Sequence, residues 1–288
     1  MSDVIHFTLF IFTMKHIALY IIMLSFCSGL CLGQAPELPR IIAHRGYSSQ
    51  APENTLAAFR LAVEFNAPGI ECDVRRTKDG KLVIFHDDNM NRLARDEKGQ
   101  PVKGNVENFD LATLKKYDFG LWKGVQFKGE TIPTLDEYLD LLKGSKSQAV
   151  IELKCNGIEK DVIDAVRSRK MKDAVLILSF DQASILRCRQ EAPDIRAAWL
   201  CVKKKEESAP QYASRIISTL KYCQTSYVSM EQGSLTPEIL QQLKSSGLSV
   251  LVWTCDNPNR TRALFNMGVE SVTSNKLEEA LKASGEKP

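Results

Sequence analysis

RIIAHRGYSSQAPENTLAAFRLAVEFNAPGIECDV, residues 40–74, holds the repeating unit of the fold. It opens on a β-rich run, RIIAH (40–44), and closes on another, GIECDV (69–74). Between them Leu56, Phe59, Ala62 and Val63 recur at spacings of three and four, the pattern of an amphipathic helix. Pro52 and Asn54-Thr55 mark its start. A strand, a helix and a strand in that order imply parallel neighbours joined by a right-handed crossover.

The alternation continues through AVIELK (149–154), AVLILS (174–179), IRAAWLCV (195–202), YVSM (227–230), SVLVWT (249–254) and ESVT (270–273), making eight strand candidates in all. A second helical pattern, Leu135, Tyr138, Leu139 and Leu142, opens just after Pro133 with Thr134 and carries Glu137 three residues on, a capping-box arrangement. Eight such units over about 250 residues are the size of a closed α/β (β/α)8 TIM barrel. An open doubly wound sheet is the competitor, but no Gly-x-Gly-x-x-Gly turn follows the first strand, so its dinucleotide-binding form lacks its defining feature.

One stretch breaks the alternation. KLVIFHD (81–87) also reads as a strand, yet only residues 75–80 separate it from GIECDV, and a parallel crossover needs about a dozen residues. It is therefore expected to fold back as an antiparallel hairpin excursion after strand 2. Asp79-Gly80 suits a two-residue turn, and that register pairs Asp73 with His86. Glu71, Asp73 and His86 would then share one face, while Cys72 and Val74 point the other way, making Cys72 a core thiol. Residues 87–133 form an insert, with a short helix expected near Leu111 to Tyr117 and with Trp122 and Phe127 available either to pack it onto the barrel or to meet a lipid head group.

Composition narrows the class. A chain of 288 residues, 44% hydrophobic and 25% charged, is globular rather than disordered. Its 38 basic and 35 acidic residues nearly balance, and no Lys/Arg tract interleaves with aromatics, so no nucleic-acid partner is expected. No protein partner is expected either. Residues 17–32, an apolar run behind Lys15 followed by Gly33 and Ala35, read as the core of a signal peptide over 1–33. Residues 34–288 form the barrel. The expected location is exported, secreted or periplasmic, with a membrane anchor if the segment is retained; membrane contact would come through that N-terminus or through the insert. Removal takes His6, His16, Cys27 and Cys31, leaving His44 and His86 as the only histidines. The six remaining cysteines include no Cys-x-x-Cys pair, and their pairing cannot be read from the sequence.

Charged residues inside strands need an explanation. Glu71 and Asp73 would face the barrel interior, and in AVIELKC the alternation sends Glu152 and Lys154 inward as well. Buried carboxylates must be paired or must bind metal. Three of them at strand ends form an oxygen-rich set suited to one hard divalent cation, Mg²⁺ or Ca²⁺; mutual neutralisation by Lys154, Arg75 and Arg76 is the alternative. His44 and Arg45 stand at the end of the first strand, where barrel enzymes keep their chemistry.

These residues together resemble the glycerophosphodiester phosphodiesterase family over about 41–273. The likeness is carried, in order, by His44-Arg45-Gly46, Pro52-Glu53-Asn54-Thr55, Glu71-x-Asp73, Asp79-Gly80 leading to His86-Asp87, Glu152-x-Lys154 and Trp253-Thr254. The resemblance implies a barrel phosphodiesterase using one divalent cation on a small glycerophosphodiester substrate. It implies that Glu71, Asp73 and Glu152 hold the metal, that Arg45 and Lys154 contact phosphate, and that His44 and His86 are acid and base, in an order left open. The implied route is attack by a glycerol hydroxyl, then opening of a cyclic phosphate by water to glycerol phosphate and an alcohol. Glu53 supports Arg45 or merely caps a helix start; Trp253 covers glycerol or packs the barrel. Where relatives commonly offer Thr-Asp, this chain has Thr273-Ser274-Asn275-Lys276. Two alternatives stay open: phospholipase D-type cleavage of lysophospholipid or sphingomyelin, and a non-catalytic barrel that binds phosphate ligands.

Overall fold

The computed structural model describes residues 37–286; the expected signal segment lies outside the described residues. Strands β1 (Ile41–Ala43), β2 (Gly69–Arg76), β3 (Leu82–Ile84), β4 (Gln148–Leu153), β5 (Val175–Ser179), β6 (Arg196–Cys201), β7 (Tyr227–Glu231), β8 (Ser249–Trp253) and β9 (Ser271–Ser274) form one sheet. Its order is β1-β9-β8-β7-β6-β5-β4-β2-β3, and β1 also pairs with β2. Eight parallel strands thus close on themselves, with β3 outside the ring. Helices α1 (Leu56–Glu64), α2 (Leu111–Leu114), α3 (Leu135–Leu142), α4 (Glu159–Ser168), α5 (Gln182–Glu191), α6 (Ala209–Tyr222), α7 (Pro237–Ser245), α8 (Pro258–Met267) and α9 (Leu277–Ser284) lie between or after strands. The eight expected strands and the closed (β/α)8 barrel are all present.

Strand alternation sorts the side chains into two cores. Ile70, Cys72 and Val74 of β2, with Ala149, Ile151 and Leu153 of β4, join the large core beneath the helices. Ile42, Val150, Leu176, Ala198 and Leu251 point to the axis and fill the barrel. Fully burying one such Val, Leu or Ile contributes roughly 1.5–3 kcal/mol, so the pattern firmly fixes which face of each strand turns inward. Near the C-terminal ends the axial positions divide. Leu178, Leu200 and Trp253 continue the apolar filling from β5, β6 and β8, whereas Glu71, Asp73 and Glu152 occupy the equivalent places on β2 and β4.

The hairpin forms, but one residue out of the expected register. The pairs are Val74 with Ile84, Arg75 with Val83 and Arg76 with Leu82. Asp73 therefore faces Phe85, whose N–H donates to the Asp73 carbonyl at 2.8 Å, and not His86. The cause is the turn. The Thr77 N–H reaches the Lys81 carbonyl at 2.8 Å, so three residues rather than two make the loop, and Gly80 takes the left-handed conformation at φ 79°. His86 lies just past the end of β3, where the pleat no longer dictates its direction.

The insert carries its own small core of Met90, Leu93, Ala94, Val102, Val106, Leu114, Phe119 and Ile132 against Val83 and Phe85. The short helix expected near Leu111 to Tyr117 is α2, one turn long. The half-buried Trp122 packs on this core and donates its indole N–H to the Phe119 carbonyl at 2.8 Å. Among the described residues, no helix is long and apolar enough to cross a membrane, and all six cysteines are free.

Caps set two helix starts read from sequence. The Thr55 hydroxyl accepts from the Ala58 N–H and donates to the Pro52 carbonyl; Thr134 and Glu137 form the expected capping box. Between β1 and α1 the chain turns through Arg45 and Gly46, both left-handed, at φ 56° and 78°. Gly46 is required twice over, since a Cβ there would lie 2.7 Å from the Ala58 carbonyl carbon. Gly46→Ala should lower the melting temperature by several degrees, combining a left-handed penalty of about 1–2 kcal/mol with a clash against helix backbone. Calorimetry checks this; an unchanged melting temperature would refute the packing argument.

Candidate active site

The turn after β1 places His44 at the barrel mouth and directs Arg45 inward. The Arg45 backbone N–H donates to Glu71 Oε2 at 2.8 Å, and its guanidinium Nη1 donates to Glu53 Oε1 at 2.6 Å. Its Nε lies 3.4 Å from Asp73 Oδ2. The left-handed Arg45 is thus held from several sides, as a locally unfavourable conformation must be.

Parallel register sets Asp73 of β2 directly beside Glu152 of β4. With Glu71, two positions along the same face, each offers a carboxylate oxygen, and these atoms lie within 4.8 Å of one another. Glu71 and Asp73 are only 3% and 1% exposed. Lys154 Nζ donates to Glu152 Oε1 at 2.8 Å and lies 3.7 Å from Asp73 Oδ1. The buried Asn54 donates to Asp73 Oδ2 at 2.7 Å. Even so, Glu71 Oε1 and Asp73 Oδ1 are buried without a hydrogen-bond donor. Burial, then the Asp73 and Glu152 charges, push the Glu71 carboxyl well up. Burial and Asp73 likewise raise Glu152 to about 7. Burial pushes Asp73 up too, but Arg45, Lys154 and His86 outweigh it and hold it below the usual range. Two buried oxygens without a hydrogen-bond donor, in an all-oxygen set, fit a hard divalent cation, so Glu71, Asp73 and Glu152 could hold one.

The two histidines line the cavity beside this cluster, together with Arg45 and Lys154. His44 Nδ1 lies 2.7 Å from Asn275 Oδ1, and His86 Nδ1 lies 2.9 Å from Asp87 Oδ1. Burial lowers both imidazoles below the ordinary value, assisted by Arg45; Asp73 and Asp87 oppose it at His86. The opposite wall is apolar. Leu178, Leu200 and Trp253 line it, and Phe180 meets the Trp253 ring edge-on at 5.6 Å between centroids. Trp253 donates its indole N–H to the Ser229 carbonyl at 3.1 Å.

His44, Arg45, Glu71, His86, Glu152, Lys154 and Trp253 therefore line one cavity, with Asp73 beside Glu152 and Glu53 bonded to Arg45; Arg75 and Arg76 instead pair with Asp88 and Asp161. Sequence reasoning missed the supporting ring. Arg92, from the insert, donates to both oxygens of Glu53 at 2.7 and 2.9 Å and to both oxygens of Asp87 at 2.8 and 3.0 Å. It ties the acid that holds Arg45 to the acid that holds His86. Burial would raise Asp87, but the Arg92 and His86 hydrogen bonds bring it to about 2. No spacing in the insert signals this contact. Asn54 reads in the sequence as a helix-start residue and as part of the Pro52-Glu53-Asn54-Thr55 landmark, with no role at the acids, yet it donates to Asp73.

A closed parallel barrel with acids, imidazoles and cations converging at its C-terminal mouth defines a barrel enzyme handling an anionic substrate. Residues 44–279 match the model of the glycerophosphoryl diester phosphodiesterase family. A glycerophosphodiester phosphodiesterase of Caldanaerobacter subterraneus subsp. tengcongensis is 32% identical over 250 residues, covering 83% of this chain and 94% of the relative. One from Bacillus subtilis is 29% identical over 261 residues, covering 84% and 85%. Among solved structures, an Oleispira antarctica phosphodiesterase in complex with the product sn-glycerol-3-phosphate superposes with a TM-score of 0.74 at 30% identity, covering 86% of this chain and 97% of that one. The chain belongs to the glycerophosphoryl diester phosphodiesterase family and is a phosphodiesterase.

Arg92→Ala leaves Glu53 and Asp87 without their shared donor. The expected result is a loss of roughly tenfold or more in kcat/KM with the fold intact, since half-ångström looseness in a supporting group is costly. Steady-state kinetics beside a melting curve measure it; wild-type kinetics would remove Arg92 from the account.

Proposed function

We propose that the chain hydrolyses glycerophosphodiesters to glycerol 3-phosphate and an alcohol, with one divalent cation, Mg²⁺ or Ca²⁺, held by Glu71, Asp73 and Glu152. The observation that carries this reading is the pair of buried, donorless oxygens on Glu71 and Asp73 beside two cavity-lining histidines. The names of the relatives and the glycerol phosphate in the Oleispira structure support the substrate class.

When bound, the cation supplies Lewis-acid stabilisation of charge developing on the phosphoryl oxygens. Arg45, just past β1, and Lys154, just past β4, add fixed positive charge beside the acids. Their own carboxylate partners orient them before substrate arrives, so little reorganisation is needed as charge builds. His44 and His86 divide the proton transfers. One takes the proton from the attacking glycerol hydroxyl while the other gives one to the departing alcohol; the roles then reverse as water opens the cyclic phosphate. Glu53 acts by holding Arg45. Trp253, fixed by its bond to Ser229, presents its ring to the glycerol end. One observation favours a second reading, acylated lysolipid as substrate: Phe180 stays 46% exposed at the apolar rim. The apolar run at 17–32 supports export of the enzyme.

The test is release of glycerol 3-phosphate from glycerophosphocholine, with lysophosphatidylcholine in parallel. His44→Ala and His86→Ala should each slow turnover by roughly 10²–10⁴ with the circular dichroism spectrum retained. Chelator should abolish turnover, and Mg²⁺ or Ca²⁺ should restore it. Full activity in either variant, or in excess chelator, would contradict the mechanism; turnover of acylated lipid alone would favour the second reading.

A further inference from the structure

His44 is backed by a chain of hydrogen bonds that the reaction above does not use. Asp256 follows β8 and Asn275 follows β9. The Asn275 backbone N–H donates to Asp256 Oδ1 at 2.8 Å, and its amide Nδ2 donates to Asp256 Oδ2 at 2.9 Å. The Ser274 hydroxyl adds a third donor at 3.1 Å. Burial would raise the Asp256 carboxyl, but the Asn275 and Ser274 hydrogen bonds keep it below its ordinary range. An ionised carboxylate only accepts, so the Asn275 amide must turn its NH₂ toward Asp256. Its carbonyl oxygen then faces His44 Nδ1 and also accepts from the Ser48 hydroxyl at 3.0 Å. A carbonyl also only accepts, so the proton between Asn275 and His44 belongs to the imidazole.

We propose that Asp256 and Asn275 are positioning residues that fix His44 as its Nδ1–H tautomer, so that Nε2 carries the lone pair and can accept the proton of the attacking hydroxyl. This rests on the hydrolytic reading above. The hydroxyl proton of the attacking glycerol passes to His44 Nε2, and His86, held by the Asp87 carboxylate, gives its proton to the departing alcohol oxygen. In the second half water returns a proton to His86, and His44 gives its own to the glycerol oxygen leaving phosphorus, so both rings end as they began.

The test reads the tautomer directly. In ¹⁵N NMR of the histidine-labelled full chain near neutral pH, with His44→Gln identifying the signals, His44 should show a protonated Nδ1 and a bare Nε2. Asp256→Asn lets the Asn275 amide turn over; His44 should become a mixture of tautomers. In that variant kcat should fall roughly tenfold to a hundredfold, with KM changed less than about twofold. The double variant Asp256→Asn/Asn275→Asp again presents only an acceptor to Nδ1, so it should restore the tautomer and bring kcat to within about threefold of wild type, a coupling that independent structural damage would not show. A wild-type His44 protonated on Nε2 would overturn the proposal. So would an Asp256→Asn variant with unaltered tautomer and kcat, or a folded double variant no faster than the single one. Failure of wild-type protein to release glycerol phosphate would instead sink the hydrolytic reading, while the tautomer measurement would still decide the positioning role.

Discussion

Three carboxylates each place an oxygen within 4.8 Å of the others at the mouth of the barrel, and the surrounding structure answers their repulsion. Two unit charges 4 Å apart repel by about 4 kcal/mol at the effective dielectric of a protein site, a large share of a domain's net stability. The response comes from several elements at once. Arg45 adopts a left-handed backbone to bring both its N–H and its guanidinium to the acids, Lys154 follows on the same strand face as Glu152, and Asn54 donates from the start of α1. Each neutraliser needs its own support. Gly46 lets the turn lie against α1, and Glu53 and Arg92 keep Arg45 in place. One oxygen each on Glu71 and Asp73 still lacks a hydrogen-bond donor, and that is the feature that makes a cation site the simplest reading.

Much of this was legible in the sequence because strand periodicity is strict. A residue two positions from another on a strand shares its face, so Glu71 with Asp73, and Glu152 with Lys154, could be sent to the barrel axis without coordinates. The alternation of strands and helical patterns likewise fixed the barrel. The hairpin register was not legible at that precision. Asp79-Gly80 serves equally as the centre of a two-residue turn or the end of a three-residue one, and the chain takes the second, which moves the partner of Asp73 from His86 to Phe85. His86 reaches the cavity because it leaves the strand, not because the pleat aims it there. The supporting residues were hidden for another reason. Arg92, Asp256 and Asn275 meet their partners across loops, where no periodicity links distance in sequence to distance in space; Asn275 stood out in the sequence only as a departure from the relatives' Thr-Asp.

The mouth is divided chemically as well as electrostatically. Strands β2 and β4 present charge, whereas β5, β6 and β8 present Leu178, Leu200 and Trp253. A substrate carrying a phosphate at one end and carbon at the other is matched by such a split, since each half is desolvated against a surface of its own kind. The insert contributes to the charged half alone. Its independent apolar core gives Arg92 a rigid base from which to join Glu53 and Asp87, so a segment outside the barrel ring helps set both Arg45 and His86. His44 is supported separately from the closing strands, which leaves the two imidazoles on independent mountings.

The central claim is that the acidic trio exists to bind a dication, and the most direct measurement is the melting temperature of chelator-stripped protein as Mg²⁺ or Ca²⁺ is titrated in. Binding to the folded state alone should raise stability in a saturable way, by about 2.7 kcal/mol at a hundredfold excess over Kd. The account predicts that rise in the wild-type chain and its loss in Glu71→Gln. A melting temperature indifferent to both cations, or a rise that survives in Glu71→Gln, would contradict it.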